Sequence, residues 1–147
     1  MKHQIGLIGL FTLALLLLSA CGGREGSTAT PAANAVQVQV KEADFTISSS
    51  VTSFTPGTTY HFVVTNNGAT THEFMIMPKA EGNMSGMPMG EMDKMALASI
   101  DTINPGETKT LDYTFPSSAA NSHPQLVCYL PGHYEAGMKQ DVTVKAS

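Results

Sequence analysis

The chain is 147 residues long, with 8 basic and 12 acidic side chains and a formal net charge of −4. An acidic balance of this kind speaks against nucleic acid as a partner. The length bounds the fold at one compact core.

Residues 1–20 read as an export signal rather than as part of a fold: Lys2 supplies a positive start, 5–18 an apolar run, and small residues follow. That run falls short of the roughly 20 apolar residues a membrane span needs. Leu18-Ser19-Ala20-Cys21 resembles the lipobox of bacterial lipoproteins, in which the cysteine becomes the lipidated first residue of the mature chain. The plainer alternative is an ordinary signal peptide with a cysteine beside its cleavage site. Lipidation at Cys21 implies an extracytoplasmic protein anchored to a bacterial membrane, periplasmic or at the cell surface. It also leaves Cys128 as the lone thiol of the mature chain, which argues against a stapling disulfide and against a dinuclear centre bridged by two thiolates. Cleavage removes only Lys2 among the charged side chains, so 7 basic groups face 12 acidic ones and the net charge is −5.

Residues 21–35 are small and polar, with Pro31 and no apolar periodicity, which is the composition of a flexible tether. The domain is expected over 36–147. Val36, Val38 and Val40 alternate with Gln37 and Gln39, Phe45 and Ile47 continue the pattern, and 58–65 is rich in β-branched and aromatic residues. Turn signals at Thr55-Pro56-Gly57, Asn66-Asn67-Gly68, Asn104-Pro105-Gly106, Phe115-Pro116-Ser117 and Leu130-Pro131-Gly132 separate the apolar runs. Short strands punctuated in this way predict an all-β sandwich or barrel. One segment departs from the pattern: 81–95 carries Met84, Met87, Met89, Met92 and Met95 without strand alternation, and reads as an inserted loop with a helical stretch at 91–97.

The chemistry concentrates at 128–138, where Cys128, His133 and Met138 recur as C-x4-H-x4-M among Pro131, Gly132 and Gly137. Thiolate and thioether are soft donors that favour copper, and two histidines, a cysteine and a weak axial methionine make the blue-copper arrangement. One more histidine is needed. In the run from Thr71 to Met77, a period of two places His72 on the face of Phe74 and Ile76, the expected core face. An imidazole pointing inward is costly unless satisfied, and a metal would satisfy it. His61 shares its face with Thr59, Val63 and Thr65 and reads as a half-exposed strand histidine, and His123 reads as a surface loop residue. Leu126, Cys128 and Leu130 share one face, as do Met138, Val142 and Val144.

With these residues in place the sequence resembles the cupredoxins, the small blue-copper proteins. The resemblance spans most of 36–145, through Phe54-Thr55-Pro56-Gly57, Thr71-His72-Glu73-Phe74, Asn104-Pro105-Gly106-Glu107-Thr108 and the 128–138 segment, whose spacing is similar to that of rusticyanin and sulfocyanin. It implies a Greek-key β-sandwich holding one type 1 copper, with His72, Cys128 and His133 as strong ligands and Met138 as the weak axial one. Thr71 stands where several relatives have an asparagine, and the methionine-rich insertion lies outside the common pattern.

Taken singly, Cys128 also reads as an inert core thiol, His133 as a polar loop residue and Met138 as a gap-filler; their joint spacing with His72 is what favours a metal. No acid–base pair or activated nucleophile competes, so the chain is not expected to be an enzyme. The implied partners are redox proteins or a cuproprotein that receives copper, with the membrane reached through the lipid and the protein itself a monomer. Met84, Met87, Met89, Met92 and Met95 keep two readings: weak secondary Cu(I) ligands, or flexible side chains that cover an apolar patch or form a docking surface.

Overall fold

The computed structural model describes residues 30–79 and 87–146. The signal segment, Cys21 and Met84 lie outside the described residues. Two four-stranded sheets form the sandwich. The first has the order β2 (Thr46–Ser49), β1 (Val36–Ala43), β4 (Thr59–Asn66), β7 (Thr108–Thr114), and the second β6 (Ala98–Ile103), β5 (His72–Met77), β8 (Gln125–Val127), β9 (Lys139–Asp141). A short parallel pair, β3 (Ser53–Phe54) with β10 (Thr143–Val144), closes one margin. β1 runs parallel to β4, while the remaining neighbours in both large sheets are antiparallel.

Alternation along the strands decides what is buried. Val38 and Val40 of β1 and Tyr60, Phe62 and Val64 of β4 turn inward, against Phe74 and Ile76 of β5, Ile100 and Ile103 of β6 and Leu126 of β8. An aromatic cluster fills the middle, with Phe54 4.8 Å from Tyr60 and 5.0 Å from Phe115 between ring centroids. Tyr60 keeps its polar end satisfied by accepting a 2.8 Å hydrogen bond from the Thr55 amide.

The pattern breaks where the chain must turn. Phe45 does not continue the strand alternation: β1 and β2 pair as a hairpin through Ala43 and Thr46, and Asp44 and Phe45 form the turn between them. His61 is also not half-exposed. It is 4% accessible, because β4 is an interior strand and His61 pairs across it with Asp112 of β7, on whose carboxylate the Ala32 amide also closes. The short chain of Asp112 is held below the usual carboxylate range, chiefly by that histidine.

All of β5 is buried. Its second face, Met75 and Met77, packs with Val127 and Tyr129 under Met92, with Met87 and Met89 against the same cluster. The helix that delivers them, α1 (Met89–Met95), starts two residues before the expected 91–97 stretch. It ends at Ala96 because the Leu97 amide already donates to the Ile76 carbonyl at 2.8 Å, which commits the chain to the sheet. Among the described residues no helix is long and apolar enough to cross a membrane.

Candidate metal centre

β5 and β8 are antiparallel, with Met75 opposite Val127 and Ile76 opposite Leu126. The start of β5 and the end of β8 therefore lie at one end of the sandwich. His72 is the first residue of β5, and Cys128 follows directly after β8. The segment after Cys128 returns through tight turns: the His133 amide donates to Leu130, the Met138 amide to the His133 carbonyl, and the Cys128 amide to the Met138 carbonyl at 3.1 Å. Gly137 makes that return possible at φ 111°, a region closed to residues with a Cβ.

The result is a tight donor cluster. One ligand atom from each of His72, Cys128 and His133 lies within 4.8 Å of the others. His72 Nδ1 faces His133 Nδ1 at 3.2 Å, and His133 Nδ1 lies 3.4 Å from Cys128 Sγ. His72, Cys128 and Met138 are fully buried, and His133 is half-buried. Met138 pairs through its backbone with Cys128 and packs in the same core group. His61 and His123 take no part: the first is held by Asp112, and the second is exposed on a groove with Pro78, Leu97, Tyr113, Pro116 and Pro124.

Electrostatics prepare the cluster for a cation. Burial, and then the neighbouring His133, push the His72 pKa down, so its imidazole is neutral and offers a lone pair. Burial pushes the Cys128 thiol up to about 11, against the amides of Glu73 and Leu130, which favour the thiolate. A buried thiol flanked by two donors and two imidazoles suits a metal that displaces its proton. The donors brought together, two imidazole nitrogens and a thiol, with Met138 in the same core group, fit one type 1 copper.

Two residues around the cluster escape a reading of the sequence alone. Glu73 is buried and accepts a 2.8 Å hydrogen bond from the Tyr129 amide, tying the residue after His72 to the residue after Cys128. Burial raises its pKa, opposed by that amide. Asn66 is fully buried, and its side chain donates to the carbonyls of Thr70 and Ile103 and accepts from the Gly68 amide, each at 2.8 Å. It thereby shapes the loop that leads into His72. The only sequence signal for either residue is its parity on a strand.

No family model matches the chain. A curated relative, the copper-resistant cuproprotein CopI of Vibrio cholerae serotype O1, is 33% identical over 89 residues, which is 59% of this chain and 51% of that protein. The chain thus matches about half the length of that relative. Among solved structures, the dithionite-reduced auracyanin of Roseiflexus castenholzii aligns with a TM-score of 0.55 at 21% identity, over 78% of this chain and 98% of its own. Auracyanin B aligns at 0.60 and 21% identity, over 82% and 96%. Auracyanin A of Chloroflexus aurantiacus, a "blue" copper protein, aligns at 0.58 and 19% identity, over 75% and 98%. Sheet order and these likenesses agree: the chain has the cupredoxin fold.

Proposed function

We propose that the chain is a membrane-anchored, extracytoplasmic blue-copper protein that carries electrons between redox partners. The observation that carries this reading is the convergence of His72, Cys128 and His133 within 4.8 Å at one end of the sandwich. These three residues would hold a single copper, with the Met138 thioether as a fourth, weak ligand. Copper bound there supplies one-electron exchange between Cu(I) and Cu(II).

The surrounding residues define how such a site behaves. Phe74, Leu126 and Leu130 pack as an apolar wall that lowers the local dielectric, while the Glu73 and Leu130 amides stabilise negative charge on Cys128. His133 is the member of the set that is not fully buried, so its ring is where a partner would approach. Four side chains would complete the coordination and leave no place for a substrate, in keeping with a carrier rather than an enzyme. Lipid on Cys21 would hold the carrier at the membrane, and its redox partners are extracytoplasmic proteins.

Copper titration followed by visible spectroscopy tests the assignment. One Cu(II) per chain with an intense thiolate-to-copper absorption is expected, together with its loss in Cys128→Ser. Retention of the colour in that variant would overturn it.

A second reading, a copper-handling lipoprotein for tolerance, scavenging or delivery, is favoured by two specific observations: the likeness to a copper-resistant cuproprotein and the gathering of Met75, Met77, Met87, Met89 and Met92 in one cluster. It predicts thioether Cu(I) sites beyond the main centre. Replacing Met84, Met87, Met89, Met92 and Met95 together by leucine should then lower Cu(I) stoichiometry. Unchanged stoichiometry and affinity would leave electron transfer as the function.

A further inference from the structure

Between β1 and β2 the chain reverses through Asp44 and Phe45, and each of these faces one histidine of the proposed centre. Asp44 Oδ1 lies 3.7 Å from His72 Nε2. That nitrogen is buried and has no hydrogen-bond partner among the described residues, while Nδ1 of the same ring points into the donor cluster. Asp44 is itself fastened in place: its carboxylate accepts from the Ala69 amide at 3.1 Å, the Thr70 amide at 3.2 Å and the Thr70 hydroxyl at 2.9 Å. Room for this approach exists because residue 68 is glycine. A Cβ there would stand 2.6 Å from Asp44 Oδ1 and 2.9 Å from His72 Nε2.

Phe45 is conspicuous on independent grounds. Its φ is 64°, in the left-handed region that bulky residues rarely enter, and 47% of its surface is exposed. Its ring meets His133 edge-on, at 5.5 Å between centroids and an interplanar angle of 80°. Strain of this sort persists where surrounding contacts over-determine it.

We propose that the turn of Asp44 and Phe45 is a clamp that positions both histidines from outside the ligand loop. The Asp44 carboxylate, held 3.7 Å from His72 Nε2, attracts a proton to that nitrogen and so favours the tautomer whose Nδ1 is free for a metal. Phe45 packs on the His133 ring and holds it beside Cys128. A metal-binding histidine characteristically gives its second ring N–H to a carboxylate or carbonyl, and loss of that partner typically costs 10- to 100-fold in metal affinity. This clamp deepens the copper reading and, as a role for the metal-free histidines, is testable apart from it.

The test uses the full-length protein labelled with 15N-histidine, metal-free, in long-range 1H–15N spectra of the wild type and of Asp44→Ala, Asp44→Asn, Phe45→Ala and Phe45→Gly. In the wild type His72 should be the Nε2–H tautomer. Asp44→Ala should give a tautomer mixture, and Asp44→Asn, which keeps an acceptor oxygen, should restore the single form. Phe45→Ala should broaden the His133 ring resonances, as should Phe45→Gly, in which the left-handed backbone is relieved and the fold kept. On loading with Cu(II), Asp44→Ala should lose at least about tenfold in affinity. A wild-type Nδ1–H tautomer at His72, or Asp44→Ala with tautomer and Cu(II) affinity both unchanged, overturns the role of Asp44. Unchanged His133 line widths in both Phe45 variants overturn that of Phe45. If the wild type bound no copper while the tautomer still followed Asp44, the copper reading would fail and the clamp would stand.

Discussion

Glu42 is a residue whose surroundings oppose its usual chemistry. It shares the inward face of β1 with Val38 and Val40, is fully buried, and neither carboxylate oxygen has a hydrogen-bond partner among the described residues. Burial first, and the charge of Glu73 second, raise its pKa to about 8. Between the ordinary value of 4.5 and that point the folded chain keeps a proton that the unfolded chain has lost. Stability from this group is therefore full below about pH 4.5 and declines as pH rises toward 8. Glu42→Gln keeps the shape and cannot ionise, so it should flatten the pH dependence of stability and add on the order of a few kcal/mol at pH 8.5. Urea unfolding of both proteins at pH 5 and pH 8.5 checks this; equal losses in the two proteins between those pH values would refute it. Parity alone places Glu42 inside, yet its isolation there depends on what the opposite sheet brings near, which β1 does not encode.

At the scale of elements, the outer face of β5 is the instructive case. A sheet face carrying Met75 and Met77 beside Val127 and Tyr129 needs a cover, and the methionine-rich segment supplies one through Met87, Met89 and Met92. Methionine suits this work because its unbranched side chain fills irregular gaps. α1 has only 7 residues, so its stability comes from docking rather than from helix propensity. Met92→Ala should thus cost about 2 kcal/mol in chemical denaturation. The visible absorption of copper-loaded protein should stay unchanged, because Met92 packs on the face of β5 away from His72 and Cys128. A shifted or lost band would show that the outer cluster and the centre are coupled. A helix in this segment was readable from its composition. Its boundaries were not, because the stop at Ala96 is set by pairing of Leu97 with Ile76, a strand residue more than a dozen positions away.

At the scale of the whole molecule, the proposed anchor and the proposed centre sit at different places along the chain, so they should separate experimentally. Cys21→Ser should move the protein from the membrane fraction to the soluble fraction with its copper spectrum intact, as fractionation and absorption would report. Persistence at the membrane would argue for an attachment other than lipid on Cys21. The amino-acid sequence by itself determined the donor types, their C-x4-H-x4-M spacing, the strand parity that turns His72 and Cys128 inward, and the turns that make a sandwich. These are local properties, fixed by side-chain chemistry and a period of two. Only the tertiary structure decided that Tyr129 is held by Glu73 across 56 positions, that Asp112 buries His61 across 51, and that Asp44 stands at His72 beside a residue that must be glycine. Such pairings depend on which strands become neighbours and in what register, and that is settled by packing of the whole core rather than by any one segment.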